Sequence, residues 1–325
     1  GYMDMPMIKQ LNFINRWYYK HNDYISQAFI RALSENRMGG TVNGDYKIDI
    51  GTKRYEFFLK NGYVFDHASE TSVGLIISGS LHEQLAQYGL KSYQGHQDNL
   101  YMNFIFQTNL SEHQKLSAGL SYNYDHFDEY IRALSPEQNF NSKEYVPGIF
   151  AEYTFNLHDK FIALAGLRAD YHNLYGTFVT PRLHLKYIPD PHLHLRGTIG
   201  KGYRSPKMLA ENNFYLSSNR TLIIDPQLNL ESAWNYGLSV QGYIPVFNKE
   251  LSLTGEWYYT NFENQVVIDT DTDVHSVHFY NLNGKSFSHS IQFEASMEVV
   301  KGLTMTLAHR FNDVQTTIGG ELREK

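Results

Sequence analysis

Apolar and polar residues alternate with a period of two along most of the chain, as in β-strands whose two faces meet different surroundings. The clearest case is the segment 161–171, where Phe161 and Tyr171 lie on one face and Arg168 and Asp170 on the other. No segment of ten or more residues has the pattern of an amphipathic helix. The alternation therefore predicts an all-β protein.

The pattern predicts about 13 strands in one domain over residues 1–325. Several are longer than the 3 to 10 residues usual in soluble sheets. They lie near residues 6–20, 52–66, 71–83, 98–109, 114–127, 144–157, 160–172, 179–188, 192–203, 229–245, 250–268, 276–299 and 302–313.

The connections between these strands fall into two classes of length. Short turns are predicted at 66–70, 111–114, 158–159, 189–191, 247–250 and 300–302. Long segments are predicted at 21–51, 84–97, 128–143, 173–178, 204–228 and 269–275. Short and long connections alternate, as expected for a transmembrane, antiparallel, up-and-down β-barrel with tight periplasmic turns and long external loops.

The composition agrees with a membrane barrel. Aromatic residues make up 15% of the 325 residues, with 25 Tyr and 20 Phe, although the mean hydropathy is only -0.44. Rings cluster near strand ends, as at Trp17 and Trp257, where amphipathic side chains are stabilised at the level of lipid headgroups. A soluble all-β protein that binds carbohydrate is an alternative, because a sheet with one face in water also alternates.

Several other classes of protein are disfavoured. The formal net charge of -6 predicts no basic surface for nucleic acid. The chain has no cysteine, and therefore no disulfide or thiolate metal site. It contains no run of 18 apolar residues and none of the common catalytic motifs, so we expect neither a transmembrane helix nor an enzyme.

Three stretches carry a family resemblance: GLRADYHNLYGTFVTPRLHLKY (166–187), GKGYRSPKMLAEN (200–212) and DPQLNLESAWNYGLS (225–239). Together they resemble TonB-dependent outer-membrane receptors, particularly those of Bacteroidetes-type bacteria. The residues that match the family motifs are Tyr203, Arg204, Ser205, Pro206, Asp225, Pro226, Leu228 and Glu231.

The resemblance implies a 22-stranded barrel plugged by an N-terminal domain. We expect the chain to lack the plug and the final strands, and its odd number of predicted strands indicates an internal piece of about 13 to 14 strands. The resemblance further implies a Gram-negative outer membrane and its lipid as the surroundings, and import of a scarce nutrient driven by the TonB-ExbB-ExbD complex through the absent plug. A smaller, complete barrel acting as a passive or lipid-type transporter is an alternative.

Ferric siderophores and cobalamin are the expected ligands. In haem-uptake members of the family, the loop between the two Pro-containing motifs carries an iron-ligating histidine, whereas residues 207–224 contain none, which disfavours haem. Candidate contacts in the predicted external loops are Tyr24, Arg31, Tyr130, Arg132, Tyr215 and Arg220.

One further segment offers a candidate metal site, and no other cofactor is expected. Asp269, Asp271 and Asp273 place carboxylates at every second position, and some cobalamin receptors of the family bind calcium through loop aspartates. The EF-hand template fails here, so a solvated acidic loop is the alternative interpretation. The histidines at 184, 192 and 194 are interpreted as part of a polar inner wall.

The alternation stops at Arg204, where the sequence continues as Ser205-Pro206. Ser205 is a favourable helix N-cap and Pro206 a favourable first helical residue, so we expect one or two helical turns within 206–212. Irregular backbone is costly in lipid and readily solvated outside it. The strand is therefore predicted to end at the outer rim of the barrel.

Overall fold

The computed structural model describes residues 3, 6–132 and 138–324. The strands are β1 Met7–His21, β2 Tyr24–Gly40, β3 Lys47–Asp66, β4 Thr71–Tyr88, β5 Lys91–Ser111, β6 Gln114–Arg132, β7 Gln138–Leu157, β8 Phe161–His172, β9 Gly176–Asp190, β10 Leu193–Arg204, β11 Thr221–Ile224, β12 Glu231–Val246, β13 Lys249–Asn264, β14 Val266–Asp269, β15 Ser276–Asn281, β16 Ser286–Val300, β17 Leu303–Ile318 and β18 Glu321–Glu324. The helix α1 Met208–Asn212 is followed by a 3-10 helix, Asn213–Ser217. Neither of these described helices is long and apolar enough to cross a membrane.

Fifteen of the described strands form one antiparallel sheet in which each strand pairs with the next, in the order β1 to β10, β12, β13, β16, β17 and β18. Fourteen of them are long, from 12 to 21 residues. The sheet is not closed, since β1 and β18 each have a partner on one side only within the described residues. The predicted all-β, up-and-down architecture is confirmed.

Seven hairpin turns of two to four residues lie at one end of this sheet, which we name the turn end. They are 22–23, 67–70, 112–113, 158–160, 191–192, 247–248 and 301–302. Six of them were predicted from the sequence. At 247–248 both central residues adopt positive φ, 46° at Phe247 and 60° at Asn248, which matches the right-handed twist of the flanking strands. We name the opposite end the loop end.

The predicted long loop at 21–51 is wrong, because residues 24–40 form β2 after a two-residue turn. The strand was missed because its two faces do not separate by polarity. Its inward face mixes Phe29 with Arg31, and Phe29 stacks on Phe58 with ring centroids 5.2 Å apart. Its outward face carries small residues such as Ala28. The count of long strands is thus even, whereas the sequence predicted an odd number.

The predicted segments 84–97 and 128–143 are also mostly strand. β4 and β5 extend through the first and leave a turn of only two residues, Gly89 and Leu90. In the second, the described residues belong to β6 and β7, and 133–137 lie outside the described residues. Strict alternation of short and long connections is therefore wrong. At the loop end the strands continue beyond the residues that alternate between apolar and polar. The alternation did not predict these extensions, because polar side chains lie on both faces of the sheet there.

The outward face of the sheet carries a continuous apolar belt. Adjacent strands place Leu75 beside Phe104, Phe104 beside Leu120, and Leu120 beside Ile149. These side chains are exposed, Leu120 by 58% and Ile149 by 60%. Contiguous exposed apolar surface of this extent indicates a lipid-facing or protein-facing surface rather than one in water.

The inward face is polar, and many of its charges pair with one another. Arg31 and Arg54 both contact Glu56, at 3.2 Å and 2.8 Å. Arg182 pairs with Glu152 two strands away. Part of the charge on the wall is thus neutralised within the wall itself.

Candidate ligand site at the loop end of the sheet

The longest excursion at the loop end is the segment 205–228, which we name the cap. It leaves β10 and contains α1, the 3-10 helix and β11. The cap then packs against the inward face of β4, β5 and β6, with β5 to β9 lying between its origin and β4. The predicted helical turns within 206–212 are confirmed by α1.

Two leucines of the cap are its main apolar contacts with the wall. Leu209 and Leu216 are 1% and 2% exposed. They pack into a cluster with Tyr88, Tyr93 and Ile131, whose side chains are on the inward face of β4, β5 and β6. Burying a leucine side chain contributes roughly 1.5–3 kcal/mol, so this pair supplies much of the free energy that holds the cap against the sheet.

Hydrogen bonds extend the contact to the loop-end residues of β4 and β5. The Tyr88 hydroxyl donates to the Asn213 side-chain oxygen at 2.9 Å. Lys91 Nζ donates to the Ser218 carbonyl at 2.6 Å. The Tyr46 hydroxyl donates to the Ser217 carbonyl at 3.2 Å. The bonds from Lys91 and Tyr46 satisfy carbonyls at the end of the 3-10 helix that have no partner within it.

Lys207 joins the cap to the wall by charge. Its Nζ lies 2.8 Å from Glu144 Oε1 and 3.0 Å from Asp125 Oδ2, and it donates to the Ser142 hydroxyl at 3.0 Å. Glu144 and Asp125 are both buried. Burial by itself would lower the pKa of Lys207, but the hydrogen bond to Glu144 and the charges of Glu144 and Asp125 raise it, so the ammonium stays charged.

Ser205 anchors the start of the cap through His172. The His172 Nε2 atom lies 3.2 Å from the Ser205 hydroxyl and 3.5 Å from Glu144. Its Nδ1 accepts a hydrogen bond from the backbone N–H of Leu174. That acceptance places the imidazole proton on Nε2, so His172 donates toward Ser205 and has no lone pair there to act as a base. Ser205 therefore lacks the environment of a nucleophile.

The N-cap role predicted for Ser205 is wrong. Helix α1 begins after Lys207, and no side chain caps it by a hydrogen bond. The hydroxyl of Ser205 contacts His172 instead. A partner distant in sequence thus replaces the local bond that the motif suggested.

A second layer covers the outer side of the cap. β11 of the cap runs parallel to β15, and β14 completes this three-stranded sheet. Met208 packs with Val266, Val277 and Phe279, and the last two are fully buried. The segments 205–228 and 266–281 therefore fold as one unit over the loop end.

The family-motif residues build the frame of this unit. Arg204 and Glu231 face each other at the ends of β10 and β12, with Arg204 Nε 2.7 Å from Glu231 Oε2. Glu231 Oε1 also accepts the backbone N–H of Val266 at 2.9 Å. Asp225 pairs with His278 at 2.8 Å. The ring centroids of Tyr203 and Phe178, which is not one of the motif residues, are 4.6 Å apart.

A cavity of about 420 Å³ lies between the cap and the wall. The two prolines of the motifs, Pro206 and Pro226, line it together with Leu228. Apolar rings and charged groups share its lining: Phe127, Phe140, Tyr175, Glu129, Glu144 and Lys207. Apolar side chains together with a few convergent polar groups are the usual components of a small-molecule site.

The six predicted ligand contacts do not converge on this cavity. Tyr24 lies beside the 22–23 turn, at the turn end, and Arg31 is on the inner wall in mid-sheet. Tyr130 shares an outward-facing row with Leu120 of β6. Arg132 is in the same row as Tyr130 and is exposed.

The remaining two contacts are in the cap and have structural partners. The Tyr215 ring lies edge-on to Phe279, and Arg220 Nη1 donates to the Thr270 carbonyl at 3.0 Å. The sequence analysis missed Lys207, Asp125 and Glu144. The unusual signal was a single lysine directly after Ser205-Pro206, but its two acidic partners are on strands far away in sequence.

The loop aspartates cap their own turns. Asp269 accepts hydrogen bonds from the backbone N–H groups of Asp271 and Thr272 and from the Thr272 hydroxyl. Asp273 accepts from the His275 N–H and the Ser276 hydroxyl. Within the described residues, no group of three or more histidine or acidic side chains is placed to hold a metal ion. Calcium binding stays a prediction.

The sequence model of the family "TonB dependent receptor-like, beta-barrel" matches residues 9–321. The chain belongs to this family. Membership of this family explains the meander of long strands, the tight turns at the turn end and the large excursion at the loop end. No curated protein matches the chain at a significant level.

Solved structures share the fold at low sequence identity. The siderophore receptor PirA of Acinetobacter baumannii has a TM-score of 0.70 and 11% identity, over 95% of this chain and 53% of its own. The alcaligin outer-membrane receptor FauA of Bordetella pertussis has a TM-score of 0.65 and 12% identity, over 94% of this chain and 54% of its own. A double mutant of the Serratia marcescens hemophore receptor HasR, in complex with its hemophore HasA and heme, has a TM-score of 0.66 and 10% identity, over 95% of this chain and 55% of its own. The chain spans about half the length of these TonB-dependent receptors.

Proposed function

We propose that the protein is an outer-membrane receptor that binds a scarce nutrient at the loop end and imports it into the periplasm. The observation that carries the proposal is the folded cap, whose residues line a cavity over the inner wall of a TonB-dependent receptor barrel. On this proposal the apolar belt faces outer-membrane lipid, the turn end faces the periplasm and the loop end faces the outside.

The ligand we propose is a ferric siderophore or a cobalamin. One of these structural neighbours is named as a siderophore receptor and another as an alcaligin receptor. A third is bound to a hemophore and heme, but two histidines that contact the cap, His172 and His278, are engaged with Ser205 and Asp225. Their engagement and the lack of histidine in 207–224 favour a ligand other than haem.

Import would be driven by the TonB-ExbB-ExbD complex acting on a plug domain, with no chemistry on the ligand. The hydrogen bonds of His172 support a non-catalytic role, because they leave Ser205 without a general base. The inner wall supports the plug, since its paired charges suit contact with a polar domain better than contact with lipid.

Growth of a deletion strain tests this function. We expect the strain to grow poorly on at least one ferric siderophore as its iron source, or on limiting cyanocobalamin, and to recover when the intact gene is restored. A strain lacking TonB should show the same defect. Equal growth of deletion and parent strains on every source would contradict the proposal, whereas uptake that persists without TonB would indicate a passive barrel.

Detergent dependence separates the membrane barrel from the soluble alternative. We expect the purified protein to stay folded and monodisperse only in detergent or lipid, because the belt around Leu120 and Ile149 is exposed. A folded, monodisperse preparation in buffer alone would favour a soluble carbohydrate-binding protein.

A further inference from the structure

The cap is an obstacle on the route that the proposed function requires. It buries inward-facing residues of three strands, among them Ala86, Tyr93 and Ile131. A ligand that enters at the loop end and continues along the inner wall of β4, β5 and β6 must pass this segment. The inference therefore rests on the proposed function for its purpose, although not for its geometry.

The cap keeps its own shape through local bonds. The Asn212 side chain donates to the Met208 carbonyl, and the Ser218 hydroxyl donates to the Tyr215 carbonyl. Its two ends lie next to Pro206 and Pro226, which cannot donate to a strand ladder and separate the cap from the large sheet. Local order between two such ends allows the segment to move without unfolding, together with β15, which pairs with β11, and β14.

The contacts that hold the cap to the wall differ in how they respond to the loss of a charge. The apolar contacts of Leu209 and Leu216 depend only on burial. The contact of Lys207 depends on two buried carboxylates, Asp125 and Glu144, at 3.0 Å and 2.8 Å. A buried ion pair adds little net stability, because desolvation offsets its attraction, yet loss of one partner leaves uncompensated buried charge.

We propose that the cap is a hatch over the inner wall and that the ion pairs of Lys207 with Asp125 and Glu144 are its latch. The closed position is stable while the ammonium group remains between the two carboxylates. A ligand opens the hatch only to the extent that it binds the open position more tightly than the closed one.

A single cysteine under the hatch reports its opening. The 325 residues contain no cysteine, so Ala86→Cys places one thiol in this part of the chain, within the buried cluster that contains Leu209 and Leu216. The full-length protein is displayed on cells and treated with a bulky, membrane-impermeant maleimide. We expect slow labelling of the Ala86→Cys reporter when no other residue is changed.

Charge removal at the latch is the deciding change. Lys207→Met keeps the aliphatic stem and should raise the labelling rate of the Ala86→Cys reporter by about tenfold or more. Lys207→Arg keeps the charge and should remain slow. Arg182→Met removes an inner-wall ion pair with Glu152 that does not involve the cap, and it should also remain slow.

A second reporter checks that the reagent has access. Asn219 is exposed on the cap, so Asn219→Cys should label quickly in every background. Equal rates for Ala86→Cys with and without Lys207→Met, while Asn219→Cys labels quickly, would overturn the latch. Should Lys207→Met fail to reach the outer membrane, the same comparison is made with Lys207→Gln, which also removes the charge that pairs with Asp125 and Glu144, and an unchanged rate would again overturn the latch.

Hydrogen exchange on the purified full-length protein tests whether the cap moves as a unit. The amides of 208–217 should exchange together and faster than those of β4 to β6, because opening is a local event. Independent exchange of the two helical turns would overturn the hatch. If the deletion strain has no growth defect but labelling depends on Lys207, the proposed function is refuted and the hatch is retained. If the deletion strain has a growth defect but labelling does not depend on Lys207, the hatch alone is refuted.

Discussion

The strands that carry the apolar belt and the cap are held by different kinds of contact. In the belt, each strand contacts the next strand in the chain, and the register continues across hairpins with turns of two to four residues. In the cap, Tyr88 bonds Asn213 and Lys207 bonds Glu144, pairs separated by 125 and 63 residues. Stability is thus expected to be local and repeated in the belt, but dependent on a few distant contacts in the cap.

Substitution of a cap leucine is expected to give the largest difference in stability between the cap and the belt. Leu216→Ala removes a buried side chain and should cost about 2–5 kcal/mol of the free energy that holds the cap closed. Protease cleavage within 205–228 should become rapid while the rest of the barrel stays folded. Leu120→Ala, at an exposed position of the belt, is the matched control and should leave cleavage unchanged. Global unfolding by Leu216→Ala would show that the cap and belt are not independent.

A charge introduced into the belt should give the next largest effect. Leu183 faces outward near the middle of β9, so Leu183→Arg should destabilise the barrel in lipid by about 2–4 kcal/mol. His184 is its inward-facing neighbour, and His184→Arg should change the unfolding free energy little. Denaturant titration in lipid vesicles measures both. Equal effects of the two variants would contradict the assignment of the faces.

The turn-capping aspartates should give a smaller, local effect. Asp269→Ala removes hydrogen bonds to a carboxylate and should cost about 1–3 kcal/mol in the protection of 266–281. Hydrogen exchange of that segment measures the loss, and Asp271→Ala is the control, since among the described residues Asp271 accepts a side-chain hydrogen bond only from the adjacent Thr270 hydroxyl. Loss of protection in the control alone would refute the assignment.

Acid should weaken the same segment. Burial alone would raise the pKa of Asp269, but hydrogen bonds from Thr272 and Asp271 lower it. The pKa of Asp273 is lowered by bonds from His275 and Ser276. A carboxyl whose pKa is lowered by folding stabilises the fold above its ordinary value, and this stability is lost as the pH falls below about 4. Hydrogen exchange at pH 5 and pH 3 should show it, and constant protection would refute it.

Removal of calcium should give the smallest effect. The carboxylates of Asp269 and Asp273 are already engaged with backbone N–H and hydroxyl groups. A chelator is therefore expected to leave the melting temperature and the protection of 266–281 unchanged. A clear decrease, reversed by calcium but not by magnesium, would favour the calcium hypothesis.

The sequence by itself determined the class of fold, most strand positions and six of the seven turns at the turn end, because a two-residue period and local turn chemistry act within a few neighbouring residues. It missed β2, whose faces at Phe29 and Arg31 do not separate by polarity. It also placed Tyr24 and Arg31 in a loop, since a long gap in alternation resembles a loop when strand pairing is unknown.

Only the tertiary structure decided what the cap contacts. Nothing near Lys207 in the chain indicates Asp125 and Glu144 as its partners, because strands β6 and β7 bring them there through the curvature and register of the sheet. The same long-range placement redirected Ser205 from a helix cap to His172. Alternation therefore specifies which face a residue takes, while the folded sheet decides which distant residue meets it.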